Sequence, residues 1–470
     1  MWKQLSGIFA LTATNGLLQA GHGALSSLLV QQGGRLEFSE TLLGAMISCT
    51  YLGFLASGLL LSRLLPRISF IRTFAVCASL MASFALLMPM LPFTAAWLVL
   101  RFFHGMFLCA AVIICDGWLN TNATKENRGK LMGVFMTVNY LSYGAGQYVL
   151  IIGESVPAHA FMAAALLLAL CLLPMCLTRF PEPQPPARED SDGMRWRDAY
   201  AIAPVAFWGQ FGFGAFTGAT LLFISYVEGL GVTTAQQSSL AALFFGCGFM
   251  LQIPAGWLAD KVRDRRDLLM GISAFSAVGA GALGLGNVLP YGVLVACIIL
   301  LGAVSSNLFG LNMAYGQDFV ERGKSAVYSG VLLRVYAAGA LTGPPVAGFL
   351  MGAVSPNMLF VFCAAVMGGM TLVTATNRIM PRYRPAKTEQ FRPVSPLTAT
   401  SATVAEVLYT ETDIGPDFPE DDSAEPSEDA ENDSAAGDSG NAAAHLANGA
   451  ARGKIADEDG VQKNAEPAKE

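Results

Sequence analysis

Twelve apolar runs leave this chain few folds to choose from. They lie at about residues 6–30, 41–62, 70–90, 94–117, 131–152, 158–178, 203–227, 237–258, 268–289, 291–315, 326–350 and 357–378. Each has ~20 residues or more, enough to cross a ~30 Å hydrocarbon core at ~1.5 Å per residue. The first run is too long for a signal-peptide core, and another follows it at once, so it reads as an uncleaved transmembrane helix. An aqueous domain is excluded on the same grounds. Only 14 % of residues are charged, against roughly a quarter in soluble domains. The spacing predicts an all-α polytopic membrane protein, and an even number of spans puts both termini on one side.

The basic residues say which side. Alternate loops carry 21 Lys and Arg, from Lys3 through Arg63, Arg67, Lys261 and Arg265 to Lys387, while the opposite loops carry only Arg35. The positive-inside rule then predicts cytoplasmic termini in a cell inner membrane. Charge also divides the chain lengthwise. Residues 1–384 hold 23 basic and 16 acidic residues, net +7, and residues 385–470 hold 6 and 19, net −13. The second stretch is rich in Ser, Ala, Asp, Glu and Pro and cannot bury enough apolar area to offset its ordering entropy, so 385–470 is predicted to be a disordered acidic cytoplasmic tail.

The body is duplicated. Gly58, Arg63 and Arg67 reappear 198 positions on as Gly256, Lys261 and Arg265, and Gly133 and Gly146 reappear 197 positions on as Gly330 and Gly343. Two echoes at nearly one offset predict two six-helix bundles, 1–178 and 200–384. They are joined by a Pro-rich charged linker at 179–199.

With these features in place, the chain resembles the major facilitator superfamily. Gly256-Trp-Leu-Ala-Asp260-Lys261, followed by Arg263, Arg265 and Arg266, is similar to that family's hinge signature, with Arg263 replacing an inner Gly. The copy at Gly58–Arg67 has Ser62 where the Asp belongs. Arg101 followed by Gly105 resembles the family's helix-four motif, and Asp116-Gly-Trp118-Leu-Asn120 is similar to a bacterial subgroup of unassigned substrate. The resemblance implies a secondary active transporter that moves a small solute by alternating access. It also implies that Asp116 pairs with Arg63 or Arg67, and Asp318 with Lys261 or Arg265. Such latches, with Asp260, would hold the cytoplasmic side shut and break when it opens. Gly330-x8-Gly339-x3-Gly343-Pro344 resembles the antiporter motif of helix five but sits in helix eleven. Small residues spaced for close helix packing, beside a Pro bend, are the other reading.

Polar groups inside the spans carry the candidate site, because each is costly in hydrocarbon. Asn15, Gln19, His22 and Ser26 fall on one face of the first helix. Arg101 and His104 share a face of the fourth. Counted from the outer helix ends, Arg101 lies ~10 Å and His22 ~12 Å deep. A His titrates near neutral pH and changes charge when it does, so His22 or His104 beside Arg101 marks a proton site. Arg334 is the only charge within the core of the second half. It calls for an anionic group on the cargo, or else for backbone carbonyls near Pro344. Asn139, Tyr140, Tyr143 and Gln147 of helix five complete the predicted solute and proton pathway. Trp208, Gln210, Phe211, Asn307 and Asn312 rank below them.

The chain shows no nucleophile context and no zinc spacing. Arg322-Gly-Lys324-Ser325 resembles the end of a P-loop, but Asp318 stands where the leading Gly belongs. The expectation is a monomeric, proton-coupled transporter of a small, anionic solute, not an enzyme and without cofactor, metal or nucleic-acid partner. The alternative is a non-transporting sensor or scaffold that acts through its acidic tail.

Overall fold

The computed structural model describes residues 2–64, 67–122, 128–177, 194–320 and 324–379. Within hydrocarbon a backbone must satisfy its own hydrogen bonds, and helices do so. Among the described residues the apolar runs form twelve long helical segments. The first half holds α1 (Trp2–Arg35), α2 (Glu40–Leu64), α3 (Phe70–Met90), α4 (Thr94–Asn122), α5 (Arg128–Gly146, continued by Val149–Ile152) and α6 (Pro157–Leu170, continued by Leu172–Leu177). The second holds α7 (Pro204–Thr220, continued by Phe223–Glu228), α8 (Thr234–Gly246, a 3-10 turn at Cys247–Phe249, then Gln252–Lys261) and α9 (Arg265–Leu283). It is completed by α10 (Tyr291–Ser305, continued by Leu308–Gln317), α11 (Ser325–Ala353) and α12 (Met358–Ile379).

Local chemistry sets the ends. Thr233 and Gln236 form a reciprocal capping box at the start of α8, after a turn in which Gly231 takes φ 70°. Side-chain oxygens of Ser69 and Asp264 cap α3 and α9 by accepting from Arg72 and Arg266 backbone N–H groups. These bonds satisfy donors that a helix start leaves open. The expected linker at 179–199 is not irregular throughout. Its last residues open a short helix, Trp196–Ile202, whose Asp198 side chain accepts from the Arg195 N–H. Residues 178–193 and the expected tail at 385–470 lie outside the described residues. The expected Pro bend does not interrupt α11, which runs as one helix through Pro344 and Pro345.

Among the described residues, seven segments are apolar and long enough to cross a membrane by length and composition alone: α2, α3, α4, α6, α8, α10 and α12. The others, α1, α5, α7, α9 and α11, carry more Gly and polar residues. Four of them form two close pairs. In the first half, a Cβ on Gly146 would run into the Ala20 carbonyl, so α5 and α1 touch backbone to backbone. In the second half, Gly339 and Gly343 press in the same way on Phe211 and Ala215, so α11 and α7 touch. The small-residue pattern of α11 is thus a packing surface.

The duplication read from sequence reappears in three dimensions. In the first half α1 packs on α5 and α6, α2 on α4, and α3 on α4 and α6. In the second, α7 packs on α11 and α12, α8 on α10, and α9 on α10 and α12. Every partner is the first-half partner advanced by six helices. The halves meet through α2 with α11 and α5 with α8. Gly44 abuts Pro344, Gly348 abuts Glu40, and the Ser48 hydroxyl donates to the Leu341 carbonyl. Gly144 faces Gly246 across the other pair. All these contacts lie toward the ends of the helices away from the basic loops. Toward the basic end, α8 turns its Gln252–Lys261 segment onto α9, and Ile253 and Trp257 are exposed.

Candidate solute-binding cavity

Between the halves lies an open cavity of about 760 Å³, counting the space at its mouth. On the first half it is lined by His22 of α1, Tyr51 of α2 and Asn139, Tyr140 and Tyr143 of α5. On the second half its walls include Phe213 and Thr217 of α7, Phe244 and Phe245 of α8, Ser305 of α10 and Tyr336 of α11. Seven helices therefore contribute, and both halves are needed to enclose it.

His22 is buried at the wall, with its ring 5.7 Å from that of His104, stacked, and 5.6 Å from that of Tyr143, edge-on. Its Nδ1 is 3.5 Å from the Ser26 hydroxyl. Behind it, Arg101 and His104 of α4 are wholly or almost wholly buried. Neither the Arg101 guanidinium nor the His104 ring has a hydrogen-bond partner among the described residues. Asn15 and Gln19, two turns and one turn before His22, are also buried with both amide atoms unpartnered. His22 of the polar stripe on α1 thus meets the pair on α4. Buried polar groups are almost always bonded, so this concentration sets the region apart.

Other predicted residues fall elsewhere. Gln147 is buried beside the cavity, accepting from the Ser27 hydroxyl and donating to the Tyr143 carbonyl at 3.1 Å. Arg334 is half-buried and does not line the cavity. It precedes Tyr336 by two residues, about 200° around a helix, so the phenol faces the cavity and the guanidinium does not. The expectation places Arg334 in the pathway, and the described cavity wall carries Tyr336 instead. Gln210 donates to the Phe309 carbonyl at 3.0 Å and Asn307 to the Ala303 carbonyl at 2.9 Å, while Trp208 is exposed.

Of the latch residues, Arg265 and Asp318 pair as expected, at 2.8 Å within the second half. Asp260 stands 3.6 Å from Arg265 on that same half. Lys261 lies over the Trp257 ring at 3.7 Å. Asp116 is buried, and its carboxylate has no hydrogen-bond partner among the described residues. The side chain of Arg63 lies outside them, and Arg67 is exposed. The described ion pairs therefore tie helices within one half, because their residues sit on neighbouring helices of that bundle. Just past this hinge, burial works to raise the Asp264 carboxyl, but hydrogen bonds from Arg266 outweigh it and hold the group below its ordinary value. Arg266 also donates to the Asn377 carbonyl at 2.9 Å, joining α9 to α12.

Residues that sequence reasoning missed include Tyr51, Thr217, Phe244, Phe245 and Tyr336. The Phe pair carries no chemical mark in an apolar run. Tyr51 and Tyr336 do carry one, a hydroxyl inside a span, which is the signal that would have found them.

Two pseudo-symmetric helical bundles closed around a shared central cavity define a membrane transporter. The chain belongs to the Major Facilitator Superfamily, whose family model matches residues 8–333 and 206–411. It is 26 % identical over 327 residues to the MFS-type transporter YcaD of Salmonella typhi, covering 68 % of this chain and 83 % of that one. In fold it is similar to the nucleoside transporter NupG, with a TM-score of 0.65 at 15 % identity, covering 80 % of this chain and 100 % of that one. It is also similar to a bacterial homologue of the human lysosomal transporter Spinster in an inward-facing and occupied conformation. There the TM-score is 0.63 at 14 % identity, covering 81 % of this chain and 98 % of that one.

Proposed function

We propose that this protein carries a small solute across the cell inner membrane by alternating access, as a monomer, with proton movement coupled through His22. The observation that supports it is the cavity itself, enclosed by both halves and lined by seven helices. A site built at the interface of two bundles is exposed to one side or the other as they rock. With basic loops and both termini in the cytoplasm, the contacts of α2 with α11 and α5 with α8 close the outer side. The arrangement is then inward-facing.

His22 suits the proton role because it lines the cavity and touches the buried Arg101–His104 cluster. A proton gained there changes the charge next to the solute, so solute and proton occupancy are linked. The test is solute-driven pH change in proteoliposomes loaded with a pH-sensitive dye, screened across metabolite classes. A solute that moves should carry a proton signal in the wild type, and His22→Gln should retain movement down a gradient while losing the signal. An unchanged proton signal in His22→Gln would remove His22 from the coupling path. No movement of any solute by abundant, folded protein would reject transport.

A further inference from the structure

We infer that the solute is an organic monocarboxylate with a flat apolar body, its carboxylate toward Arg101, His104 and His22 and its body against the rings of α7 and α8. This rests on the cavity being the solute site. Arg101 has no exposed surface, and none of its three nitrogens has a hydrogen-bond partner among the described residues. Tyr143, Tyr51, Cys49, His22 and His104 interact with it electrostatically, and no carboxylate is described among them. Three of these, Tyr143, Tyr51 and His22, form part of the cavity wall. The acidic residue on the same helix, Asp116, is fifteen residues away, ~22 Å along the axis. A positive charge therefore sits directly behind the wall with no protein counter-charge described near it. Water can complete its hydrogen bonds but cannot neutralise it. A buried charge of this kind is retained where an opposite charge visits.

The opposite wall is different. Most of its hydroxyls, that of Ser305 excepted, are already bonded within the protein. Thr217 bonds the Tyr336 hydroxyl at 2.9 Å, Thr220 donates to the Thr217 carbonyl at 2.9 Å, and Ser306 donates to the Gly248 carbonyl at 2.9 Å. Beside Ser305, the rings of Phe213, Phe216, Phe244 and Phe245 dominate what faces the space. A polyol would leave most of its hydroxyls unpaired there, which is unfavourable. A planar apolar body loses nothing and gains ring contacts. The cavity is thus cationic on the first half and aromatic on the second. The charge of one guanidinium matches that of one carboxylate.

The experiment uses the full chain in nanodiscs for binding and in proteoliposomes for counterflow. The probes are benzoate and 3-phenylpropionate, the amides of both, uridine and glucose. Both carboxylates should raise the melting temperature and exchange across the bilayer, and the amides, uridine and glucose should do neither. Arg101→Gln should weaken carboxylate binding at least tenfold while the unliganded protein melts no lower than the wild type, and Arg101→Lys should fall between. Amides binding as well as carboxylates, or carboxylate binding unchanged in Arg101→Gln, would overturn the inference. So would an unliganded Arg101→Gln protein that melts well below the wild type, since Arg101 would then have a protein partner. If Arg101→Gln does not fold, the carboxylate–amide comparison on the wild type decides alone. Carboxylates that bind but never cross would reject transport and leave this assignment standing. Uridine that crosses while carboxylates do not bind would do the reverse.

Discussion

Arg265 and Asp318 hold each other at 2.8 Å across α9 and α10, with only 1 % and 6 % of their side chains exposed. Arg265 also donates to the Ala314 carbonyl at 3.0 Å. Both helices belong to the second half, so the pair fixes the shape of one bundle and can stay intact while the bundles rock. Removing one partner of a buried pair costs ~3–5 kcal/mol. Asp318→Asn should therefore lower the melting temperature strongly, with little change in which side of the cavity a cysteine probe can reach. Asp260→Asn should cost only ~0–1 kcal/mol, since that carboxylate is 40 % exposed and 3.6 Å away. A probe pattern that switches sides in Asp318→Asn without loss of stability would restore a gating role.

Asp264 gives the second prediction, on pH. Its carboxylate caps α9 and accepts from the Arg266 side chain at 2.8 Å, and the group is held below its ordinary value. A carboxyl depressed in the folded state contributes stability above the unfolded value of ~3.9, and loses it as pH falls through the lower folded value. Asp264→Asn keeps the cap but loses the ion pair with Arg266, and should thus destabilise by ~0.5–1 kcal/mol at neutral pH. The difference from the wild type should shrink only below pH ~4. Thermal unfolding of both proteins from pH 7 to 3 checks this, and a constant difference would contradict it.

The fold was legible in the sequence because its strongest signals are collective. Twenty apolar residues, a loop charge bias and a repeat offset each average over many positions, and the contact pattern of the halves follows them. The cavity was legible only in part. His22, Asn139, Tyr140 and Tyr143 stand on its wall because polarity inside a span marks them, and helical spacing gave the shared face of Asn15, Gln19 and His22. Phe244 and Phe245 look like any other buried rings until α8 is placed opposite α5. Arg334 shows the converse: charge drew attention to it, while the described wall carries Tyr336, about 200° around the helix.

Glycines separate cleanly into two kinds. A Cβ on Gly339 would run into the Phe211 carbonyl, a backbone atom that cannot step aside, while one on Gly368 of α12 would meet nothing within 4 Å. Gly339→Ala should force α11 off α7 and cost ~1–3 kcal/mol. Gly368→Ala should be neutral or stabilise by ~0.5–1 kcal/mol through helix propensity. Melting curves in one detergent would compare them, and equal effects would remove the packing account.

Arg334 should behave as a structural residue. It is half-buried on α11, away from the cavity wall, and is not without a partner in the protein. Arg334→Gln should lower the melting temperature equally with and without solute and leave solute affinity within about twofold. An affinity loss as large as that of Arg101→Gln would return it to the pathway.

The contact of Gly44 with Pro344 has a consequence for how the protein is made. The two residues are 300 positions apart. At ~5–20 residues per second, α11 leaves the ribosome roughly 15–60 s after α2. For that time the Gly-lined flank of α2 lies in the bilayer without its mate, next to α4, which arrives much sooner. The first bundle can therefore be complete while one side of it is still open to lipid. A nascent chain stalled before α11 would present that flank to whatever insertion factor stands beside it.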